Sequence, residues 1–507
     1  MSGNTTDVIV IGGGTGGYST ALRAAHLGLG VTLVERDLVG GTCLHRGCVP
    51  SKAMLHAAEL VDGVAEARER WGVKATLDSV DWSALVATRD DIVSRNHKGV
   101  EGQLSAAGVT VVRGTATLAG PRTVQVDVPG AGGGRWTARR GLVLATGSRP
   151  RTLPGLEPTG EHIVTSDDAL FAPGLPSSVL VLGGGAIGVE YASFHRSMGA
   201  EVTLVEAAER LLPLEDEDVS RHLTRALKKR GITVLTGARL TDARRTGTHR
   251  TSAGQSGTGI RTGTGQSGAG VRTGTEQSGA GIEARVQPAR GGETVIAAER
   301  LLVAVGRVPV TDGLNLAAAG LATDERGFVP PADWATLETA VPGVFVVGDL
   351  LPPPSLGLAH ASFAEGLVVA ETLAGLRPRP VDYAAVPRVT YSSPQTASVG
   401  LGEAAARDAG FEVVSNVLPL TATAKGMVHG QGGMVKVVAE PGPDGRVLGV
   451  HLVGPHVSEM ISESQLAVAW DASPADIAQH IHAHPTLSEA VGETFLTLAG
   501  RGLHQHA

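Results

Sequence analysis

A strand, a glycine turn, a helix, a second strand and a terminal acid follow one another twice in this chain, and that duplication constrains its fold more than any other feature. In the first copy DVIVI (Asp7 to Ile11) runs into GGGTGG and the helical stretch YSTALRAAHLG, and a strand from Gly30 to Val34 ends at Glu35. Gly12, Gly14 and Gly17 take the G-x-G-x-x-G positions. Glycines there let the backbone approach a pyrophosphate at a helix N-terminus while the acid accepts ribose hydroxyls, so the pattern predicts a dinucleotide-binding βαβ unit rather than a merely tight turn. After Ser178 the pattern returns as VLVLGGGAIGVEYASFHRSMGAEVTLVE, with Gly183, Gly185 and Gly188 before Glu206. Both copies keep the acid, which favours two occupied sites. Glu206 would accept from a free 2′-hydroxyl and repel a 2′-phosphate, favouring NAD over NADP, whereas the nearby Arg210 points the other way.

The only two cysteines among 507 residues, Cys43 and Cys48, stand in GGTCLHRGCVPSK, Gly40 to Lys52. Five residues of straight α-helix rise about 7.5 Å, beyond the roughly 7 Å between Cα atoms that a disulfide tolerates. Cys43 is therefore expected in a turn ahead of a helix that begins near Cys48. Gly40, Gly41 and Gly47 supply turn conformations, Pro50 is tolerated in a first helical turn, and the residues from Ser51 to Leu60 are strong helix formers. A helix N-terminus favours negative charge and pulls a cysteine pKa below about 8.5, so Cys48 is expected as a thiolate at neutral pH. A structural disulfide would add little to a large core. A zinc site with His45 lacks a fourth ligand and the C-x-x-C spacing, and two core thiols would not need so many glycines.

This length predicts two to four domains with ample buried volume. A net charge of -7 without a basic stripe excludes a nucleic-acid footprint. The N-terminal MSGNTTDVIVIGGG has no basic region and a short apolar run, so it reads as a strand and not a signal peptide. No apolar run approaches the roughly 18 residues of a membrane span. A cytoplasmic protein is expected, and a reducing cytosol makes a cysteine pair catalytic more readily than structural.

Arg68 to Ala107 reads as charged and mostly helical, and Val109 to Val128 alternates like antiparallel strands. LVLATGSRP (Leu142 to Pro150), LLVAVGRVP (Leu301 to Pro309) and VFVVGDL (Val344 to Leu350) read as strands, and LAHASFAEG (Leu358 to Gly366) as a helix. Between them Arg250 to Ile282 holds RTSAGQSGTGI, RTGTGQSGAGV and RTGTEQSGAGI, an eleven-residue repeat in three copies. Its Gly, Ser and Thr cannot offset the ordering entropy and present no apolar face, so a flexible surface loop is expected, with a partner tether through the spaced arginines as the functional alternative. From Val381 strands such as VPRVTYSSPQTASVG, MVKVVAE and VLGVHLVG mix with helices, as in a separate α+β domain. In HIHAHPTLSEAVGE (His480 to Glu493) a histidine at a helix mouth precedes a glutamate by five residues, which suits a base held in one tautomer by its acid. Histidines on alternate positions could suggest a metal cluster, but Pro485 interrupts the run and no further ligand pair is near.

The segment Gly40 to Lys52 resembles the redox-active segment of the flavin-dependent disulfide reductases at its fixed positions, and the resemblance extends over nearly the whole chain outside the repeat. It implies an α/β protein with two Rossmann-like domains, for FAD and NAD, and a C-terminal α+β dimerisation domain. The expected boundaries are 1–151 for FAD, 152–308 for NAD with an insertion at 244–290, 309–380 for a central domain completing the FAD site, and 381–507 for the interface. By the same resemblance Gly12, Gly14, Gly17, Glu35, Gly41, Thr42, Lys52, Thr146, Gly147, Asp349 and Ala361 would hold FAD, and Gly183, Gly185, Gly188, Glu206 and Gly306 would hold NAD. Asp349 would bond the ribityl chain, and the helix after it would close over the isoalloxazine. Cys43 and Cys48 would form the redox disulfide, Lys52 would lie under the flavin with Glu190 as its partner, and His484 would be the base oriented by Glu489. His484 would reach the cysteines of the other subunit of a homodimer. Gln395 departs from the glutamate usual in relatives and puts one interface contact in doubt.

Within the family, Glu206, the form HAHPTLSE and the lack of a C-terminal cysteine pair point to the branch that oxidises protein-bound dihydrolipoamide. The implied reaction has a substrate thiolate attack Cys43, with electrons leaving Cys48 through the flavin to NAD. The implied partner is a lipoylated acyltransferase or a glycine-cleavage carrier protein, with no nucleic acid, membrane or metal. Mycothione, glutathione or mercuric reduction and quinone reduction are the alternatives on this scaffold.

Overall fold

The computed structural model describes residues 4–130, 132–246, 281–442 and 444–504. Its first unit is built on β1 (Asn4–Ile11), whose residues Val8 to Ile11 are buried as a strand covered on both faces requires. The chain turns through α1 (Thr15–His26) into β2 (Val31–Glu35), parallel to β1, and then into α2 (Gly41–His45), α3 (Cys48–Arg70) and α4 (Trp82–Ala106). The expected charged helical stretch is thus two helices. Gly72 leaves α3 in the left-handed region, and Asp81 caps α4 by accepting from the Ala84 amide at 3.1 Å.

β3 (Thr110–Arg113), β4 (Thr115–Gly120), β5 (Thr123–Val128) and β6 (Gly132–Leu144) complete the sheet. β4 to β6 are antiparallel as their alternation suggests, but β3 lies parallel to β2. Four residues carry no information about direction. β6 then returns beside β1 in parallel.

β7 (Ser148–Pro150) leaves this unit for the second, which contains β8 (Ile163–Val164), α5 (Ser166–Leu170), β9 (Ser178–Leu182), α6 (Ala186–Ser197), β10 (Glu201–Val205), α7 (Glu217–Lys229) and β11 (Thr233–Leu235). β12 (Ala238–Thr246), β13 (Gly281–Pro288) and β14 (Thr294–Ala298) form an antiparallel sheet before β15 (Arg300–Val303) enters the parallel one, in the order β11-β10-β9-β15-β8. Of the stretch 244–290 read as an insertion, 244–246 and 281–288 are paired strands, with Thr246 opposite Gly281 and Ile282 buried. The last residues of the third repeat therefore belong to the core, because a strand partner is available to them. The rest of the repeat, 250–280, lies outside the described residues.

β16 (Arg307–Pro309) pairs back with β7. β17 (Val344–Val346) adds to the first sheet beside β6, and α8 (Ala359–Leu373) packs on α1 so closely that a Cβ on Gly366 would sit 2.1 Å from Ser19 Oγ. Residues 309–380 thus extend the first core rather than build one of their own: Val344, Val346 and Leu350 share its buried cluster with Val8 and Val10.

The C-terminal unit follows as β18 (Arg388–Thr390), β19 (Gln395–Gly400), α9 (Glu403–Asp408), β20 (Val414–Pro419), α10 (Ala424–His429), β21 (Met434–Ala439), β22 (Val447–Gly454), α11 (Val457–Ala469), α12 (Pro474–Ile477) and α13 (Glu489–Leu498). Its antiparallel sheet has the order β18-β19-β22-β21-β20. Buried Lys436 on β21 meets Asp216 at 3.0 Å and Asp218 at 2.8 Å, and Arg388 on β18 meets Glu215 at 3.0 Å, so charged groups tie this unit to the start of α7. Gln395 accepts from the Ser458 amide at 3.2 Å, a contact within the chain. Among the described residues, no helix is long and apolar enough to cross a membrane.

Candidate active site

The two glycine turns adopt the same geometry because their glycines meet the same obstacles. Gly12 (φ 101°) and Gly183 (φ 110°) each have a carbonyl oxygen 2.3 Å from where a Cβ would lie, that of Ala145 and Ala304 respectively. A Cβ on Gly17 would sit 1.9 Å from Gly12 O, and one on Gly188 would sit 1.8 Å from Gly183 O. Gly14 and Gly185 face open space instead. In both copies the first and third glycines shape the protein and the middle one leaves room for a ligand.

The terminal acids also match. Glu35 accepts from the amides of Gly13 at 2.6 Å and Asp37 at 2.7 Å, and Glu206 from those of Gly184 at 2.5 Å and Ala208 at 2.6 Å. Each carboxylate is locked against its turn. Arg210 is spent inside its own loop, donating to the carbonyls of Glu215 at 2.6 Å and Pro213 at 2.8 Å and to Ser220 Oγ at 2.9 Å. It is not free to serve a 2′-phosphate.

The cysteine segment is bound to the first turn. Gly40 donates to Gly13 O at 2.7 Å, and a Cβ on Gly41 (φ 58°) would sit 2.6 Å from Gly14 Cα. Cys43 lies in the single turn of α2, ahead of the longer helix as expected, and the non-helical backbone of Gly47 breaks the axis before Cys48 opens α3. The structure holds Cys43 and Cys48 as free cysteines, near enough for each to shift the titration of the other. The Cys43 thiol donates to Cys48 and brings it down to about 7 against the opposing effect of burial, with the Lys52 ammonium assisting. The same bond, with burial, pushes Cys43 up. Cys48 is therefore the anion of the pair, as its sequence position suggests, but its partner thiol and Lys52 outweigh the helix N-terminus as the cause. His45, weighed as a zinc ligand, donates through Nε2 to Val39 O at 2.9 Å.

One turn into α3, Lys52 Nζ lies 3.0 and 3.1 Å from the two carboxylate oxygens of Glu190 on α6. Burial opposes the Lys52 charge, but Glu190 overcomes it and the net shift is upward. Asp349, in the turn after β17, accepts from Ser148 Oγ, which also accepts from Arg307 Nε at 2.7 Å. Burial raises the Asp349 carboxyl, with Ser148 and Arg307 opposing.

A cleft of about 830 Å³ runs between the two nucleotide folds. Gly12, Gly14, Glu35, Gly41, Thr42, Cys43, Cys48, Lys52, Thr146, Gly147, Asp349 and Glu190 line it. Gly17 stands behind the turn and Ala361 is buried inside α8, so neither reaches the cleft. For Ala361 the reason is its register, since α8 turns Ser362 and Ala359 to the cleft. Gly183, Gly185, Gly188 and Glu206 surround the second turn, and Gly306 (φ 108°) follows β15; none of them lines this cleft. Ser148, Arg307 and Tyr191, not singled out from sequence, do line it. Ser148 and Arg307 stood in motifs read only as strand ends, and no periodicity marks them.

His484 and Glu489 are elsewhere. His484 Nδ1 lies 2.7 Å from Glu489 Oε1, and Glu489 Oε2 accepts from the Thr486 amide at 2.8 Å. Burial raises Glu489, but the Thr486 amide and His484 outweigh it and lower its pKa, so it stays a carboxylate and the ring must donate from Nδ1. Nε2 is then the basic nitrogen. The His484 side chain is 72% exposed and does not line the cleft of its own chain.

Two dinucleotide folds converging on a thiol–thiolate pair define a nucleotide-dependent dithiol–disulphide oxidoreductase. The family model for pyridine nucleotide-disulphide oxidoreductases matches residues 6–366 and that for their dimerisation domain matches 386–495, and the chain belongs to this family. It is 37% identical to a dihydrolipoyl dehydrogenase of Bacillus subtilis over 98% of this chain and 99% of that one. It is 38% identical to a dihydrolipoyl dehydrogenase of Thermus scotoductus over 99% of each, and 36% identical to a leghemoglobin reductase of Glycine max over 96% of this chain and 86% of that one. LpdA of Mycobacterium tuberculosis has the same fold, with a TM-score of 0.81 at 24% identity over 96% of this chain and 99% of that one. FAD and NAD are the cofactors of such enzymes. The residues present fit them, since both turns pair a locked acid with a middle glycine facing open space.

Proposed function

We propose that this chain is a dihydrolipoyl dehydrogenase, oxidising protein-bound dihydrolipoamide to lipoamide and reducing NAD. The observation that carries the reading is the Cys43–Cys48 pair in one cleft with the Lys52–Glu190 ion pair, where the two nucleotide folds meet. The full-length likeness to dihydrolipoyl dehydrogenases supports it. FAD would be held by Gly12, Gly14, Glu35, Gly41, Thr42, Thr146, Gly147 and Asp349, and NAD by Gly183, Gly185, Gly188, Glu206 and Gly306. When bound, FAD supplies a two-electron acceptor beside the sulfurs and NAD the final hydride acceptor.

The chain's own residues handle the protons and the sulfur exchange. Starting from the oxidised pair, one substrate thiol gives its proton to His484 Nε2, and the thiolate attacks Cys43 Sγ. The bond between the two cysteines breaks and Cys48 leaves as a thiolate, stabilised by Lys52. The second substrate thiol then attacks the substrate sulfur of the mixed disulfide; Cys43 leaves and takes the proton that His484 held, and His484 Nε2 takes that of the second thiol. Substrate has lost two electrons and two protons: one proton is on Cys43, the other on His484, and Cys48 is the anion, in keeping with the downward shift at Cys48 and the upward shift at Cys43. Because His484 lies outside its own chain's cleft, we assign this step to the partner subunit's His484 in a homodimer formed through the C-terminal domain. The substrate carrier would be a lipoylated acyltransferase or a glycine-cleavage carrier protein, and a reducing cytoplasm suits a pair that must cycle.

An anaerobic titration of the holoenzyme with dihydrolipoamide tests this. A long-wavelength thiolate-to-flavin band should appear and, on adding NAD, decay as NADH forms. Reduction of glutathione disulfide or mercuric ion by NADPH, with no response to dihydrolipoamide, would overturn it.

A further inference from the structure

Lys52 has a second neighbour besides Glu190. Its ammonium lies 4.5 Å from the centroid of the Tyr391 ring, at the end of β18 in the C-terminal unit. The Tyr391 amide meanwhile donates to Glu190 Oε1 at 2.9 Å. One residue therefore holds both members of the ion pair, the acid through its backbone and the base through its ring.

The position of that ring is fixed by the backbone around it. Ser393 N donates to Ser193 Oγ at 2.9 Å, one helical turn along α6 from Glu190, and Arg230 donates to Ser393 O at 3.0 Å. Residues 391 and 393 are thereby pinned along α6, and the ring between them has a defined place. Among the described residues the Tyr391 hydroxyl makes no hydrogen bond. Its contact with Lys52 is a contact of the ring face.

Lys52 carries a long flexible stem, and Glu190 alone leaves the direction of its third N–H open. An aromatic face attracts a cation through its quadrupole without neutralising it. A second carboxylate in that place would hold Lys52 equally well but would add negative charge where Cys48 must be anionic. We propose that Tyr391 is a positioning residue for the reaction: its ring holds the Lys52 ammonium toward Cys48, so that the C-terminal unit of the chain sets the charge at the sulfur pair. This rests on the reading of Lys52 and Cys48 given under Proposed function.

The test is the pH dependence of the thiolate-to-flavin band in the two-electron-reduced holoenzyme, in wild type, Tyr391→Phe and Tyr391→Leu. Phe keeps the ring and the backbone amide, and its midpoint should equal that of wild type. Leu keeps only the amide, so Lys52 is left with Glu190 alone and the midpoint should rise by about half a pH unit, the size of a partly buried cation–ring contact. An unchanged midpoint in Tyr391→Leu, or an equal rise in Tyr391→Phe, would overturn the proposal while leaving the dehydrogenase reading intact. A wild-type band that never forms would overturn both. Should Tyr391→Leu fail to fold, phenylalanines of increasing fluorination at position 391 replace it, because fluorine weakens the ring's hold on a cation at nearly constant shape. The midpoint should then climb with each fluorine, and a flat series would overturn the proposal.

Discussion

At Cys48 two causes of a low pKa compete for credit, and they make different predictions. The helix N-terminus is legible in the sequence, whereas the Cys43 thiol and the Lys52 ammonium become visible only when the fold sets them beside the sulfur. If the Cys43 thiol is the main cause, Cys43→Ala should move the Cys48 titration upward from about 7 toward the ordinary cysteine range, since burial then acts with less opposition. Thiolate absorbance of the reduced protein against pH measures this. A midpoint that stays near 7 would return the effect to the helix. The sign matters for function: below the midpoint Cys48 is protonated, and the thiolate band should fade as the solution is made more acid. The residues a motif carries, Cys43, Cys48, Lys52 and Glu190, could be read from the sequence and meet at one place. Tyr391 could not, since its importance lies in a ring and an amide brought to α3 and α6 from another unit of the chain.

The glycine turns are where element and sequence agree most closely, because the first and third glycines of each answer to a steric demand that no other residue meets. That demand also separates folding from binding. In Gly17→Ala or Gly188→Ala the new methyl would lie within 2 Å of a backbone oxygen, and overpacking of this kind costs about 1–3 kcal/mol or more. Both should lower the melting temperature. Gly14→Ala and Gly185→Ala meet nothing in the protein, so the fold should hold while affinity falls, for FAD in the first and NAD in the second. Thermal melts beside cofactor titrations decide it, and equal destabilisation in all four would refute the division of roles. Sequence pattern was weaker where pairing partners lie far apart. β17 joins the first sheet across a long separation, and β3 takes a direction that its four residues do not encode. Arg210 looked like a cofactor-selecting residue from its spacing alone, yet the carbonyls of its own loop satisfy it.

For the whole molecule, the decisive fact is that His484 does not line the cleft that holds the sulfurs of its own chain. His484 is oriented by Glu489, is largely exposed, and lies away from the cleft that holds Cys43 and Cys48. We propose that a second copy brings its His484 to the cleft; the alternatives are a histidine that serves no step at the sulfurs or one that serves only those of its own chain. Mixed dimers separate them. His484→Gln alone should lower dihydrolipoamide turnover by about 10²–10⁴-fold, the usual weight of a general base, and Cys43→Ser alone should abolish it. In a dimer that joins the two variants, the intact cysteines of the His484→Gln chain would face the intact histidine of the Cys43→Ser chain. That site is whole only if the base works across the interface. Unfolding and refolding an equal mixture should restore about a quarter of wild-type turnover, since half of the dimers are mixed and each has one of two symmetry-related sites complete. If base and sulfurs acted within one chain, every site in the mixture would carry a lesion, and turnover would stay at the level of the separate variants.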